Sequence, residues 1–134
     1  MRYWSTLPHN DLPVTRTWLD NMLAREQTGG QHFAIELDGR VIGEVGAGRL
    51  PEFGFILNPG YWGRGFATEA SRAVIDHIFA VTGTSVLKAD VDPRNAASLS
   101  VLNRLGFRET GGASNTFLLG DEWCDSIYLT LPRP

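Results

Sequence analysis

Trp62-Gly63-Arg64-Gly65-Phe66-Ala67-Thr68-Glu69-Ala70 is a short glycine turn that opens an amphipathic helix. Just ahead of it, Phe53-Gly54-Phe55-Ile56-Leu57 reads as a strand, followed by Asn58-Pro59-Gly60. A strand–glycine turn–helix junction leaves several backbone N–H groups pointing outward at the helix start. Such groups bind phosphate, and the helix dipole adds to the attraction.

Downstream, the helix runs from Phe66 to Val81, with Ala67, Ala70, Val74, Ile75, Ile78 and Phe79 on one face. Thr82-Gly83-Thr84 ends it, and Val86–Val91 reads as a strand. Pro93-Arg94-Asn95 then leads into a helix of about ten residues, with Leu99, Leu102 and Leu105 inward and Gly106 at the C′ position. Phe107, Thr116–Leu119 and Ser126–Leu131 read as further strands, with a hairpin at Asp121-Glu122. Upstream, His32–Leu37 and Arg40–Val45 flank Asp38-Gly39, the strongest hairpin signal in the chain. Before that, Asn10 or Asp11 caps a first helix with Pro13 near its first turn. Val14, Trp18 and Met22 form its stripe, and Thr28-Gly29-Gly30 stops it. The order helix, hairpin, strand, helix, strand, helix, hairpin describes an α/β or α+β layer, not a bundle or a sandwich.

The bulk properties narrow the function classes. A chain of 134 residues is read as one domain that buries a core without metal or disulfide staples. Its single cysteine, Cys124, excludes an internal disulfide framework and fits a reducing cytoplasm. The start lacks the apolar region of a signal peptide, and no run of about 18 apolar residues offers a membrane span. A net charge of −3 without a basic cluster argues against a nucleic-acid binder. His9, His32 and His77 have no metal-ligand spacing, so no metal is expected.

Three phosphate-cradling loops compete for the glycine turn. The P-loop pattern Gly-x-x-x-x-Gly-Lys-Ser/Thr does not occur. The dinucleotide fingerprint Gly-x-Gly-x-x-Gly fits Gly63 and Gly65, but Thr68 stands at the third glycine and the unit follows an antiparallel hairpin. The third is the pyrophosphate loop of the GNAT acyltransferases, Gln/Arg-x-x-Gly-x-Gly/Ala. Trp62-Gly63-Arg64-Gly65-Phe66-Ala67 matches it at Gly65 and Ala67, with Trp62 in the first position. The longer string Tyr61–Ala70 resembles the RimJ/RimL-type branch of that superfamily. So does Asn95-Ala96-Ala97-Ser98-Leu99-Ser100-Val101-Leu102-Asn103-Arg104-Leu105-Gly106-Phe107, and so do Arg2-Tyr3-Trp4-Ser5 and Arg40–Gly46. The resemblance extends over nearly the whole chain, residues 1–134, as a single domain.

The resemblance implies a GNAT fold: a mixed, mostly antiparallel sheet flanked by helices and splayed between its two middle strands, here 53–57 and 86–91. It implies acetyl-CoA as donor, with its pantetheine arm in the gap. The backbone of Ile56 and Leu57 and the side chain of Asn95 would hold that arm. Backbone N–H groups from Gly63 through Arg64, Gly65, Phe66 and Ala67 to Thr68 would hold the pyrophosphate, with the Arg64 charge added. Asn95 is equally suited to capping the following helix. The reaction implied is direct attack of a neutral primary amine on the acetyl thioester, so Cys124 is not needed as a nucleophile. An N-terminal amine, with pKa about 7.7–8.0, costs only about 1 kcal/mol to deprotonate near neutral pH; a lysine amine costs about 4–5 kcal/mol.

Glu52, at the start of the central strand, is the expected base, with Asp125 and Glu44 as alternatives. The acid that protonates the leaving thiolate is commonly a Tyr in this family, but Leu102 stands there. Ser98 is the expected substitute, and Tyr128 is another donor. Typical members begin with a strand and helix ahead of the segment resembling Tyr3-Trp4-Ser5. The expected fold therefore lacks that strand, and an uncovered sheet edge favours a homodimer or a local rearrangement. A non-catalytic module that binds CoA or a partner chain is the competing reading. The acceptor pocket is expected from the first helix, residues 46–52 and residues 111–124, with Trp4, Trp18 and Trp123 as candidate walls.

Overall fold

The computed structural model describes residues 30–134. The expected first helix, the Arg2–Ser5 segment, His9, Trp4 and Trp18 lie outside the described residues. The elements are β1 (Gln31–Leu37), β2 (Arg40–Arg49), β3 (Glu52–Leu57), a 3-10 turn (Pro59–Tyr61), α1 (Phe66–Val81), β4 (Val86–Val91), α2 (Ala96–Arg104), β5 (Arg108–Leu119) and β6 (Glu122–Pro132). The strands form one six-stranded sheet in the order β1-β2-β3-β4-β6-β5. β3 and β4 are parallel, and every other neighbouring pair is antiparallel. This is the mixed, mostly antiparallel layer expected from the sequence.

Local chemistry accounts for most boundaries. Asp38 and Gly39 take φ of 51° and 81°, the paired left-handed values of the tight turn that matches strand twist. α2 ends in a Schellman arrangement: Phe107 N–H donates to Leu102 C=O at 3.0 Å, and Gly106 N–H donates to Asn103 C=O at 3.1 Å. Gly106, at φ 99°, permits that turn. β5 departs from the sequence reading, which found strand character only at Phe107 and over Thr116–Leu119. The strand is continuous across Gly111-Gly112 because β6 pairs with it from Arg108 to Leu119, with register shifts after Glu109 and Ala113. Asn115 turns at φ 53° in the second shift, and its N–H donates to Asp125 Oδ1 at 2.9 Å.

The core lies between the sheet and the two helices. Ile78 of α1, Leu102 of α2, Val45, Leu87 and Phe107 are fully buried. Phe53 stacks on Phe107 with ring centroids 5.7 Å apart, which ties the start of β3 to the end of α2. Gly43 on β2 faces the backbone of β3 so closely that an added Cβ would collide with the Ile56 carbonyl oxygen. Gly43→Ala should therefore destabilise the domain by about 1–3 kcal/mol, the usual cost of overpacking, read as a lower urea midpoint at unchanged slope.

Candidate active site

β3 and β4 meet at one point and then part. Lys88 N–H donates to Pro51 C=O at 2.8 Å, and Glu52 opposite Lys88 is their single registered pair. Beyond it β3 remains paired only with β2. Asn58 N–H donates to Ile42 C=O at 2.7 Å, so residues 42 and 58 form a hydrogen-bonded pair. Antiparallel pairs alternate, so Glu44 and Ile56 exchange their backbone bonds, whereas Gly43 and Leu57 do not. The N–H and C=O groups of Phe55 and Leu57 consequently point toward β4, where no strand receives them. The exposed edge is thus built from Phe55 and Leu57. Ile56 contributes its side chain, and its backbone is engaged by Glu44. A cleft of about 940 Å³ fills the wedge, floored by Phe53, Phe55, Ile56, Ala89 and Val91 and walled by α2 and the glycine turn.

The turn is stiff at its entry and open at its exit. Asn58 Oδ1 accepts from Gly60 N–H at 2.9 Å, and the 3-10 turn follows. Trp62 donates its indole Nε1–H to Leu57 C=O at 2.8 Å, satisfying one of the carbonyls that the wedge leaves without a strand partner. Gly63 and Gly65 have φ of 73° and 82°, a region that favours glycine, and an added Cβ at either would meet nothing within 4 Å. Gly65 is the N-cap of α1 and brings no side-chain acceptor. The first helical bond is from Glu69 N–H to Gly65 C=O at 3.0 Å. The N–H groups of Phe66, Ala67 and Thr68 therefore have no helical acceptor, and all three residues line the cleft. Arg64 is set apart from the cleft. Its guanidinium lies 4.8 Å from the Phe66 ring centroid and 5.9 Å from that of Tyr61, and Arg64 is not part of the cleft wall.

α2 contrasts with α1 at its start. Asn95 Oδ1 accepts from Ser98 N–H at 3.1 Å, so the capping reading of Asn95 holds. The cap uses only the carbonyl oxygen, and the side chain retains two amide donors on the cleft wall.

Comparison with known proteins decides the family. The acetyltransferase (GNAT) domain model matches residues 1–108. The chain belongs to the GNAT family. The spermidine N(1)-acetyltransferase of Escherichia coli K12 is 26% identical over 137 residues, covering 98% of this chain and 73% of that protein. A ribosomal-protein-alanine N-acetyltransferase from Brucella melitensis superposes with a TM-score of 0.83 at 20% identity, over 98% of this chain and 85% of that one. A spermidine N-acetyltransferase from Vibrio cholerae, solved with CoA and spermine, gives 0.80 at 18% identity, over 97% and 80%. At these identities the structural likeness shows the fold. The family and the named relatives make this GNAT domain an N-acetyltransferase.

Within the GNAT domain the candidate acid–base groups are dispersed. Ser98 lines the cleft beside Asn95. Glu52 is exposed at the pinched end of the wedge and is not on the cleft wall. Glu44 is half-buried opposite Ile56, and burial pushes its carboxyl above the usual range. Asp125 is turned to Asn115, and Trp123 is exposed on the β5–β6 hairpin away from the cleft wall. Cys124 is buried. Leu102, at the position where a Tyr acid is common, is 1% exposed and part of the core.

Sequence reading missed Asp90, which lines the cleft opposite Tyr128 on β6. Alternation in Val86–Val91 already sets Lys88 and Asp90 on the face away from Leu87, Ala89 and Val91. It also missed Asp92. This buried carboxylate accepts from Arg94 N–H at 2.8 Å and pairs with the Arg94 guanidinium at 2.7 Å, while Arg94 Nη1 reaches Glu122 at 2.8 Å. That clamp joins the start of α2 to the β5–β6 turn.

The Arg94 side chain holds the Asp92 carboxyl below the usual carboxylate range. A depressed carboxyl contributes stability above its unfolded pKa, and that stability is lost as pH falls through the folded value. Asp92→Asn should lower neutral-pH stability by about 1.5–3 kcal/mol and remove part of the decline of Tm below about pH 4.

Proposed function

We propose that this domain transfers the acetyl group of acetyl-CoA to a cationic primary amine. The observation that carries the reading is the uncapped start of α1 opening onto an unpaired strand edge. The two features suit a diphosphate joined to an amide-bearing arm. In that reading the N–H groups of Phe66, Ala67 and Thr68 hold the pyrophosphate, with the turn shaped by Gly63 and Gly65. The Phe55 and Leu57 backbone and the Asn95 amide hold the pantetheine arm. Acetyl-CoA supplies the activated thioester; the chain positions it and takes the amine proton.

The amine approaches from the face that carries Glu44, Glu52 and Asp90. Strand alternation puts Glu44, opposite Ile56, Glu52, opposite Arg49 and Lys88, and Asp90, two residues beyond Lys88, on one face of the sheet. Asp90, the one of the three on the cleft wall, attracts a protonated amine. The named relatives support this class: one set acts on spermidine, and the other on ribosomal-protein alanine. Glu44 is the base we assign, because it is half-buried opposite Ile56, next to the wall residue Gly43, and burial raises its pKa above the usual carboxylate value. Glu52 acts from the exposed end as an electrostatic guide. Ser98, on the cleft wall, donates a hydrogen bond to the leaving thiolate, which takes its proton from solvent. The single buried cysteine supports a reducing, cytoplasmic location. Edge strand β5, twelve residues long, is the surface we assign to pairing with a second copy.

Two measurements test this reading. Titration calorimetry should show acetyl-CoA binding at or below tens of micromolar, and Gly65→Glu, which adds bulk, charge and a strained φ, should abolish the heat. Thiol release across a panel of amines and peptides should fall at least about tenfold in kcat for Glu44→Gln and lose its acid limb, set above the ordinary carboxylate range by the raised Glu44 pKa. Glu52→Gln should change KM more than kcat. Full activity in Glu44→Gln discards the base, and absence of binding discards the donor.

A further inference from the structure

Beyond the glycine turn the cleft continues into a second hollow of about 560 Å³ on the outer side of α1. Gly65, Thr68 and Arg104 border both cavities, so the two meet at the first turn of α1. The hollow brings together Arg72, one turn past Thr68 on α1, and Arg104, the last residue of α2. Arg72 Nη2 lies 3.5 Å from the Arg104 carbonyl oxygen, which holds the Arg72 head group over the end of α2.

Neither guanidinium takes part in an ion pair among the described residues, unlike that of Arg94 between Asp92 and Glu122. A basic residue in the last turn of a helix is favoured by the helix dipole. The same helix end also attracts Arg72, which donates one N–H to the Arg104 carbonyl and keeps the rest of its donor fork for a further partner. Two carboxylates, Glu69 and Asp76, also border the hollow, without a salt bridge to either arginine. Arg64, the arginine expected from the sequence to face the phosphates, is instead held over Phe66 and Tyr61.

We propose that Arg72 and Arg104 bind the ribose 3′-phosphate of CoA and so make the domain select CoA over 3′-dephospho-CoA. This inference rests on the reading of the glycine turn as a pyrophosphate cradle. A ligand whose diphosphate sits on Phe66–Thr68 N–H groups, with its arm in the wedge, sends its other end across Gly65 into this hollow. There a terminal phosphate meets two guanidiniums, whose planar donor forks match phosphate oxygens. The neighbouring Glu69 and Asp76 temper the affinity and favour release.

The test is titration calorimetry of CoA and 3′-dephospho-CoA against the whole chain and against Arg72→Gln, Arg104→Gln and the double variant. The expected result is a preference for CoA of about tenfold or more, weakening with added salt, and lost in the double variant. The Kd of 3′-dephospho-CoA should stay unchanged in the variants, which also reports that they fold. Glu69→Gln should increase the preference. Equal binding of both ligands to the unsubstituted chain overturns the proposal and leaves the pyrophosphate reading standing, as does a preference that survives the double substitution. Binding of neither ligand overturns both.

Discussion

The parting of β3 from β4 after a single pair governs this molecule. One bond from Lys88 to Pro51 and the Glu52–Lys88 pair hold the two halves of the sheet together. Past that point a strand edge in the middle of the sheet runs unpaired. Leaving buried backbone groups without partners costs free energy comparable to lost hydrogen bonds, so such a gap persists only where something repays it. Part of the repayment is internal: the Trp62 indole satisfies the Leu57 carbonyl, and Phe53 stacked on Phe107 anchors the closed end. The remaining donors and acceptors are what an amide-bearing ligand can complete.

The two helix starts show how one local choice divides structure from function. α2 begins with Asn95, whose side chain caps the helix and satisfies a donor. α1 begins with Gly65, which supplies the turn and no acceptor. The glycine start forgoes only a few tenths of a kcal/mol relative to a side-chain cap and leaves three N–H groups without a helical acceptor. Gly43 adds to this from behind by letting β2 approach the Ile56 backbone closely, which sets where the cleft floor lies.

Charge is distributed along the same line. Glu44, Glu52 and Asp90 share one face of the sheet with Arg49 and Lys88. The arginines Arg72 and Arg104 lie together past the glycine turn. Arg94 has a structural use, clamping Asp92 and Glu122, and Arg64 is held by ring faces.

The sequence alone determined the features that arise within a few residues of chain. The Asp38-Gly39 hairpin, the span of α1, the strand at 86–91, the Asn95 cap and Gly106 follow from periodicity, capping chemistry and the φ values glycine permits. The glycine turn with the 95–107 block was enough to indicate the family. Only the tertiary structure decided features set by partners distant in sequence. Register against β2 turned the Leu57 backbone toward the cleft and that of Ile56 away from it. Pairing with β6 carried β5 through two glycines that have little strand preference of their own. Burial opposite Ile56 raised the pKa of Glu44, whereas Glu52, which the sequence favoured, stands exposed at the strand end. Stacking set Arg64 over Phe66 and Tyr61, and helix packing brought Arg72 to the end of α2 beside Arg104. A side chain's charge is written in the sequence, but its direction depends on which strand or helix lies beside it.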